Sequence, residues 1–187
     1  STMLNMLGGL DTLDAGDLTI EGRSLIGLTP KERTLYRKEE AGFVFQFYNL
    51  IPDLTVEENI EVVSDISESP LDLSEVLGAL ELEPYRRRFP RELSGGQQQR
   101  AAIARAMIKN PKLLLCDELT GALDTRSSKN VLQFVGKMNR QYGTTVVIIT
   151  HNEAIAKMAD QIIWIRDGRV EKSVFNEKKI PAEELEL

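Results

Sequence analysis

Apolar residues along the chain follow two spacings, and each spacing predicts a different kind of element. Continuous apolar runs within residues 112–116 and 144–150 are typical of strands buried on both faces of a parallel sheet. Further strands are predicted at residues 18–20, 42–45, 161–166 and 169–175, with Asp167 and Gly168 as a hairpin turn between the last two. Since strands alternate with helical segments, the pattern predicts an α/β fold with a mainly parallel sheet that helices cover on both faces.

Helical segments are marked by local start and stop signals. A hydroxyl residue followed three positions later by Glu or Gln predicts a helix N-terminus. The chain carries this signal at Thr29 with Glu32, Thr55 with Glu58, and Ser94 with Gln97. The third of these helices is expected to run to about residue 109, and others are predicted at residues 73–82, 125–141 and 153–159. Glycines at positions 8, 9 and 143 stand where a helix ends, so the chain is expected to begin inside a helix.

The composition indicates one soluble globular domain. Of the 187 residues, 42% are hydrophobic and 28% are charged, which is enough apolar material for a core. No apolar run approaches the roughly 20 residues of a membrane span, so a membrane role would come through a partner. No signal peptide pattern opens the chain, and the single cysteine, Cys116, is interpreted as a small buried hydrophobic residue. A reducing cytoplasm is the compartment we expect.

The charge balance argues against nucleic acid as a partner. The net charge is −6, whereas a surface that tracks phosphates usually shows a basic excess. Four arginines form a local exception and are interpreted as a solvated helix end or a salt-bridging face; they are Arg86, Arg87, Arg88 and Arg91.

The segment Ser94, Gly95, Gly96 and Gln97 opens a helix and is a candidate anion site. It places a hydroxyl and two backbone amides without side chains at the positive end of the helix dipole. Adjacent glycines let a phosphate approach the backbone closely. An ordinary serine cap would explain Ser94 and Gln97 but not the paired glycines.

Two acids, Asp117 and Glu118, come directly after the buried strand at residues 112–116. Ligands of α/β sheets sit at such strand ends. Asp117 could hold Mg²⁺ with water between, and Glu118 could polarise a water molecule for attack on a γ-phosphate. The alternative is that the two acids cap the next helix.

Two further side chains follow strands in the same way. His151, the only histidine, comes directly after the strand at residues 144–150, and Gln46 follows the strand at residues 42–45. A lone histidine at a strand end is more often structural, but its position parallels that of Asp117 and Glu118, so both strand ends could open on one crevice. The amide of Gln46 could reach a metal or a water molecule.

Taken in order, five motifs resemble the Q-loop, signature, Walker B, D-loop and H-loop of ABC ATPases. They are Gln46, Leu-Ser-Gly-Gly-Gln at residues 93–97, Leu-Leu-Leu-Cys-Asp-Glu at 113–118, Gly-Ala-Leu-Asp at 121–124, and Thr150 with His151. The resemblance covers the chain to about residue 172. Residues 8–11, 42–50 and 120–124 look most like the macrolide-export and lipoprotein-release branch. The resemblance to ABC ATPases implies a P-loop NTPase-like core with a small α-helical subdomain at residues 47–108.

In that family two cassettes close head to tail around two ATP molecules with Mg²⁺. The resemblance implies that the signature residues Ser94, Gly95, Gly96 and Gln97 bind the ATP of the partner subunit. Asp117 would order Mg²⁺, Glu118 would be the general base, and Gln46 would sense the metal and the attacking water. His151 would hold the γ-phosphate, and Asp124 would couple the two sites across the dimer.

The resemblance also implies a membrane partner. The cassette would sit at the cytoplasmic face of the membrane and power export or extraction by a separate permease. Residues 47–54 are a candidate surface for a helix of that permease, with ordinary packing between subdomains as the equal alternative.

The chain departs from the family pattern in two places. The family's phosphate loop ends in Gly-Lys-Ser/Thr, and the chain opens with Ser1 and Thr2 in the positions that follow the lysine. We therefore expect a cassette without roughly its first forty residues, with Ser1 as an Mg²⁺ ligand and Thr2 beside it at the phosphates. Leu119 stands where proline usually follows the catalytic glutamate, from which we expect altered positioning at most.

Two other functions compete with a transporter cassette. An ABC-type ATPase for DNA repair, chromosome structure or translation shares the motifs. However, the 47 residues between Gln46 and Ser94 leave no room for a coiled coil or zinc module. The other alternative is a catalytically inert regulatory or interaction fragment, in which Glu118 and His151 would be unexpected.

Overall fold

The computed structural model describes residues 2–45, 47–121 and 123–187 of the chain. The strands are β1 (Thr19–Ile20), β2 (Arg23–Ser24), β3 (Ala41–Val44), β4 (Leu113–Asp117), β5 (Thr145–Ile149), β6 (Gln161–Arg166) and β7 (Arg169–Phe175). The α-helices are α1 (Thr2–Leu7), α2 (Pro30–Glu39), α3 (Val56–Ser64), α4 (Leu73–Ala79), α5 (Gly95–Met107), α6 (Thr125–Tyr142) and α7 (Glu153–Ala156). Single 3-10 turns occur at Glu83–Tyr85, Pro90–Glu92 and Ala182–Glu184.

A parallel sheet in the order β3-β4-β5 forms the centre of the fold. Val44 pairs with Cys116 across β3 and β4, and Asp117 pairs with Ile149 across β4 and β5. Parallel strands run in one direction, so their carboxyl ends meet at one edge. The residues that follow β3, β4 and β5 therefore share that edge.

Both faces of β4 are covered, as the continuous apolar run predicts. Leu114 and Cys116 point into the main core, with Ile103 and Met107 of α5 and Leu132 of α6. Leu113 and Leu115 point to the opposite face, where they join Leu4 of α1 in a smaller cluster. The α/β prediction is confirmed by this alternation.

The predicted helix starts are confirmed by hydrogen bonds. Thr29, Thr55 and Ser94 each accept a hydrogen bond from the backbone N–H three residues on, and the side chain of the Glu or Gln at that position accepts one from the backbone N–H of the cap residue. Gly143 ends α6 in the left-handed conformation, at φ 73°. These elements follow from local chemistry.

The region at residues 47–108 contains α3, α4, α5 and two of the 3-10 turns, without a strand. Buried side chains of α3 and α4, such as Ile60 and Leu77, belong to the same core cluster as α5. The region is therefore helical, while its division from the rest of the chain as a subdomain stays a prediction.

Four of the strands in the described residues lie outside the parallel sheet, in two antiparallel ribbons. β1 pairs with β2, a two-residue strand that the apolar pattern does not predict. β6 pairs with β7 through the predicted turn, in which Asp167 and Gly168 both have positive φ. Several large apolar side chains of the β6–β7 ribbon are exposed, among them Ile163, Trp164, Ile165, Val170 and Phe175.

The C-terminal tail is better packed than its polar sequence suggests. Ala182 and Leu185 are buried in the main core, and the Nζ of Lys129 in α6 donates to the carbonyl of Glu183 at 3.1 Å. Two apolar side chains in a polar segment thus hold the tail against the core. Of the helices described, none has the length and apolar character to cross a membrane.

Candidate functional site

Asp117 and Glu118 lie at the carboxyl edge of the sheet. Asp117 is the last residue of β4, and the backbone N–H of Glu118 donates to the carbonyl of Ile149 at 3.0 Å, which continues the pairing with β5. Glu118 has φ 56°, in the left-handed region that non-glycine residues avoid at a cost of about 1–3 kcal/mol. Such strain concentrates at functional sites, where the surrounding structure maintains it.

The structure brings Glu118 and His151 together. The Nε2 of His151 lies 3.5 Å from the Oε1 of Glu118. That oxygen is buried and receives no hydrogen bond within the described residues, whereas the imidazole is 96% exposed. A buried oxygen without a donor is costly, so it is suited to a polar group that enters the site.

Helix α5 also contacts the backbone of Glu118, through the side chain of Gln99. Gln99 in α5 is 3% exposed, and its Nε2 donates to the carbonyl oxygens of Glu118 at 3.1 Å and Leu119 at 2.5 Å. Sequence reasoning missed this contact. A signal was present, because Gln99 stands four and eight residues before Ile103 and Met107, as a polar residue on the buried stripe of the helix.

Leu119, the residue after the glutamate, is fully buried in the main core. The turn continues with the N–H of Gly121, which donates to the carbonyl of Glu118 at 3.2 Å. With leucine in place of proline at this position, the turn is held by the packing of Leu119 and by backbone hydrogen bonds.

The start of α5 has the predicted capping geometry. The Oγ of Ser94 accepts from the N–H of Gln97 at 3.3 Å, and the Oε1 of Gln97 accepts from the N–H of Ser94 at 2.8 Å. Ser94 and Gly95 are exposed, and Gly96 is partly exposed. The serine cap is therefore real, and the glycine amides beside it are open to a ligand at the positive helix end.

Asp124 caps α6. Its Oδ1 accepts from the N–H of Ser127 at 2.9 Å, and its Oδ2 accepts from the hydroxyl of Ser127 at 2.8 Å. These hydrogen bonds to Ser127 hold the pKa of Asp124 below its ordinary value. In this single chain Asp124 thus has a structural role, and the predicted role across a dimer stays a prediction.

The remaining predicted ligands lie at the start of the chain and after β3. Thr2 is the first residue of α1 and is exposed. Ser1 and Gln46 lie outside the described residues. In the part of the chain that the structure describes, no group of three or more His, Cys, Asp or Glu residues could hold a metal ion. Mg²⁺ usually takes one or two carboxylates together with water and substrate phosphates, and Asp117 fits that chemistry.

Residues 47–54, which follow β3, form a loop that two side chains hold in place. Asn59 is fully buried and donates to the carbonyls of Ile51, Leu54 and Thr55 at 2.9–3.1 Å. Arg105 donates to the carbonyl of Asn49 at 2.7 Å and to that of Tyr48 at 3.2 Å. Phe47, by contrast, is 78% exposed. Side-chain hydrogen bonds thus hold the base of the loop, and an exposed apolar side chain stands at one end of it.

A cleft of about 260 Å³ lies beside this loop and is basic. Among the described residues, three cations line it together with the stacked rings of Phe43 and Phe45, and none of the lining residues is a carboxylate; the cations are Arg37, Arg105 and Lys109. Their charged groups donate to backbone carbonyls, as the Nζ of Lys109 does to the carbonyl of Arg37. Burial lowers the pKa of Lys109 to about 8. We call this feature the basic cleft.

Two of the four arginines, Arg86 and Arg88, form salt bridges, which confirms the salt-bridging interpretation for these two. Arg86 pairs with Glu57 and, at 3.3 Å, with Glu83. Arg88 pairs with Glu92 at 3.0 Å. These arginines are therefore engaged with carboxylates of their own chain.

Three features together define an ATP-binding cassette. They are the acids at the end of β4, the histidine after β5 and the Ser-Gly-Gly start of α5. The chain belongs to the ABC transporter family, whose model matches residues 1–121. It is 40% identical over 174 residues to a Mycoplasma pneumoniae protein named as an ABC transporter ATP-binding protein, the MG065 homolog. It is 39% identical over 173 residues to MG467 of Mycoplasma genitalium. The two alignments cover 91% of this chain, and 37% and 56% of those proteins.

The fold agrees with solved ABC cassettes. A dimeric structure of the cassette MJ0796 in a post-hydrolysis state, bound to ADP and Pi, matches with a TM-score of 0.86 at 38% identity. A second dimeric structure of MJ0796, a bacterial ABC transporter cassette, matches with a TM-score of 0.87. Each match covers 94% of this chain and 80% of the other. The α/β cassette fold predicted from the sequence is thereby confirmed.

Proposed function

We propose that the chain is the ATP-binding and ATP-hydrolysing part of an ABC transporter that drives export or extraction through a separate permease. The observation that carries this proposal is the approach of Glu118 to His151 within 3.5 Å at the carboxyl edge of the sheet. The family membership and the nucleotide products named for the MJ0796 structure support it.

In the proposed reaction a water molecule attacks the γ-phosphorus of ATP, and ADP leaves. Glu118 accepts the proton of that water, and burial of its Oε1 strengthens the interaction because little solvent screens it. His151, which is exposed beside it, donates to an oxygen of the γ-phosphate. Bound Mg²⁺ would neutralise phosphate charge, with Asp117, Ser1 and Gln46 as the residues that hold it.

We propose that a second copy of the chain completes the site head to tail. The capped start of α5 offers the amides of Gly95 and Gly96, with Ser94 and Gln97, to the ATP of the partner copy. Thr2 joins the phosphates of the chain's own ATP. The dimeric state of both MJ0796 structures supports this arrangement.

The permease would bind the loop at residues 47–54 and the basic cleft. Phe47 supplies an exposed apolar contact. Arg37, Arg105 and Lys109 supply positive charge, with no carboxylate among the described residues that line the cleft. Charge complementarity therefore favours a short permease helix that carries acidic side chains. Such docking places the cassette at the cytoplasmic face of the membrane. The branch that handles macrolides or lipoproteins is the one we propose, on the resemblance of residues 8–11, 42–50 and 120–124.

Replacing Glu118 with Gln in the full-length protein tests this function. The amide keeps the shape but cannot accept the proton, so turnover is expected to fall by about 10²-fold or more while ATP still binds and traps the dimer. Glu68→Gln, at an exposed position, is the matched control and should keep wild-type turnover. Wild-type turnover in Glu118→Gln would remove Glu118 from the role of base. Absence of ATP hydrolysis in the unmodified full-length protein would favour the inert interaction fragment.

A further inference from the structure

Gln99 connects the start of α5 to the turn that carries Glu118 within one chain. It is the fifth residue of α5, four positions after Gly95, so about 6 Å of helix separates it from the start of α5. From there its amide donates to two successive carbonyls of the turn that carries Glu118. One side chain thus joins the signature helix to the turn of the proposed base.

The turn depends on such support because its backbone is strained. Glu118 has φ 56°. The following residue is Leu119, which lacks the fixed backbone angle of a proline. The N–H of Glu118 is held by Ile149 of β5, and its carbonyl by Gly121 within the turn. Gln99 adds the connection to α5 and also fixes the carbonyl of Leu119.

The start of α5 is continuous with the residue that carries the amide, because Gln99 follows the first turn of the same helix. The reciprocal bonds between Ser94 and Gln97 close that first turn, and Gln99 and Arg100 are buried directly behind it. A shift of the helix start therefore changes the position of the Gln99 amide, and with it the two carbonyls that the amide holds.

We propose that Gln99 is a positioning residue that couples the two ATP sites of the dimer. This inference rests on the proposed function, in which the start of α5 contacts the partner's ATP while Glu118 acts on the chain's own ATP. Closure of α5 on one nucleotide sets the geometry of Glu118 at the other through the Gln99 amide. Because binding coupling is reciprocal, ATP at the Glu118 site also changes the affinity of the α5 start for the partner's nucleotide.

The experiment compares Gln99→Leu with Thr144→Val in the full-length protein. Leucine has nearly the volume of glutamine but no donor. Thr144 is also buried, at 1% exposure, and its Oγ1 donates to the carbonyl of Pro111 at 2.9 Å just before β5, at the opposite edge of the sheet. Both variants lose a buried bond to a backbone carbonyl, so a general loss of stability affects both. Gln99→Met, of similar length and easily packed, repeats the measurement should leucine disturb folding.

Turnover and dimerisation are measured separately. Gln99→Leu is expected to lower kcat by about tenfold to a hundredfold with little change in KM for ATP, because the base is misplaced while the nucleotide still binds. In the Glu118→Gln background, in which turnover is expected to be slow, Gln99→Leu is expected to raise the ATP concentration for half-maximal dimerisation by about fivefold. Thr144→Val should lower Tm but leave both quantities at their reference values.

Each contrary result has a distinct meaning. Wild-type kcat in Gln99→Leu and Gln99→Met, with a lower Tm, would make Gln99 purely structural and overturn the proposal. A lower kcat with an unchanged dimerisation midpoint would overturn the coupling between sites. Full turnover in Glu118→Gln alone would remove Glu118 from the role of base, and the proposal for Gln99 would fall with it. Absence of ATP hydrolysis in the unmodified protein would instead overturn the proposed function.

Discussion

Glu118 and His151 meet at unequal depth: the imidazole is 96% exposed, while the carboxylate oxygen 3.5 Å from it is buried. A charged group that arrives from solvent therefore reaches the histidine first. The carboxylate lies behind it, where screening is weaker and its effect on a bound water is larger. This order suits the proposed division of labour, in which His151 holds the phosphate and Glu118 takes the proton.

Replacing His151 with Ala is expected to lower kcat about 10²-fold with little change in Tm. The reason is that an exposed imidazole contributes little to packing, whereas a donor at a developing phosphate charge contributes much to the rate. Turnover and thermal unfolding of the full-length protein measure the two effects. Lys178→Ala, also exposed, serves as control. Turnover equal to wild type would show that His151 does not contact the reacting phosphate.

Phe47→Asp is expected to release the protein from the membrane while its ATPase activity stays within about twofold of wild type. An exposed apolar side chain at the edge of a proposed interface loses its partner contact when it becomes charged. Retention in washed membranes and turnover of the purified protein are the two measurements. Phe175→Asp, at 73% exposure against 78% for Phe47, is the matched control and should leave membrane retention unchanged. Equal retention of both variants would exclude Phe47 from the interface.

Lys109→Met is expected to change how stability depends on pH between about 8 and 10. Burial lowers the folded pKa of Lys109 to about 8, below the ordinary value of 10.5. Between these values the unfolded chain binds a proton that the folded chain does not, so the lysine's contribution to stability is full above the unfolded pKa and falls as pH drops towards 8. Wild type should therefore gain about 2–3 kcal/mol relative to Lys109→Met from pH 8 to 10 in urea unfolding. Parallel pH curves for the two proteins would contradict this account.

Asp124→Ala is expected to lower Tm by about 2–4 °C, because α6 loses its N-terminal cap. Hydrogen bonds to Ser127 hold the folded pKa of Asp124 low, so its stabilising contribution is present above the unfolded pKa and is lost as pH falls through the folded value. Asp124→Asn keeps a cap and should retain most of the Tm at pH 7 while losing this acid dependence. A Tm of Asp124→Ala equal to that of wild type would show that the cap is dispensable.

Local chemistry made much of the fold predictable. The cap at Thr55 depends on residues within four positions of each other. The continuous apolar run of β4 by itself predicts a strand buried on both faces. The position of Glu118 at a strand end follows from the same run. These features need no knowledge of distant parts of the chain.

Features that join distant residues were not predictable in this way. Gln99 and Glu118 are 19 positions apart, and their contact depends on how α5 packs against the end of β4. The left-handed conformation of Glu118 is unusual for its residue type, so propensity argues against it. Burial of Leu185 requires the tail to return to the core, which a polar segment does not signal.

Trp164, the chain's only tryptophan, lies on the β6–β7 ribbon, where it is 39% exposed. The Nζ of Lys172 lies 5.0 Å from the centre of its ring. Indole emission shifts to the blue when water leaves the ring. The intrinsic fluorescence of this protein therefore comes from one known place, and its spectrum reports directly when another surface covers the ribbon.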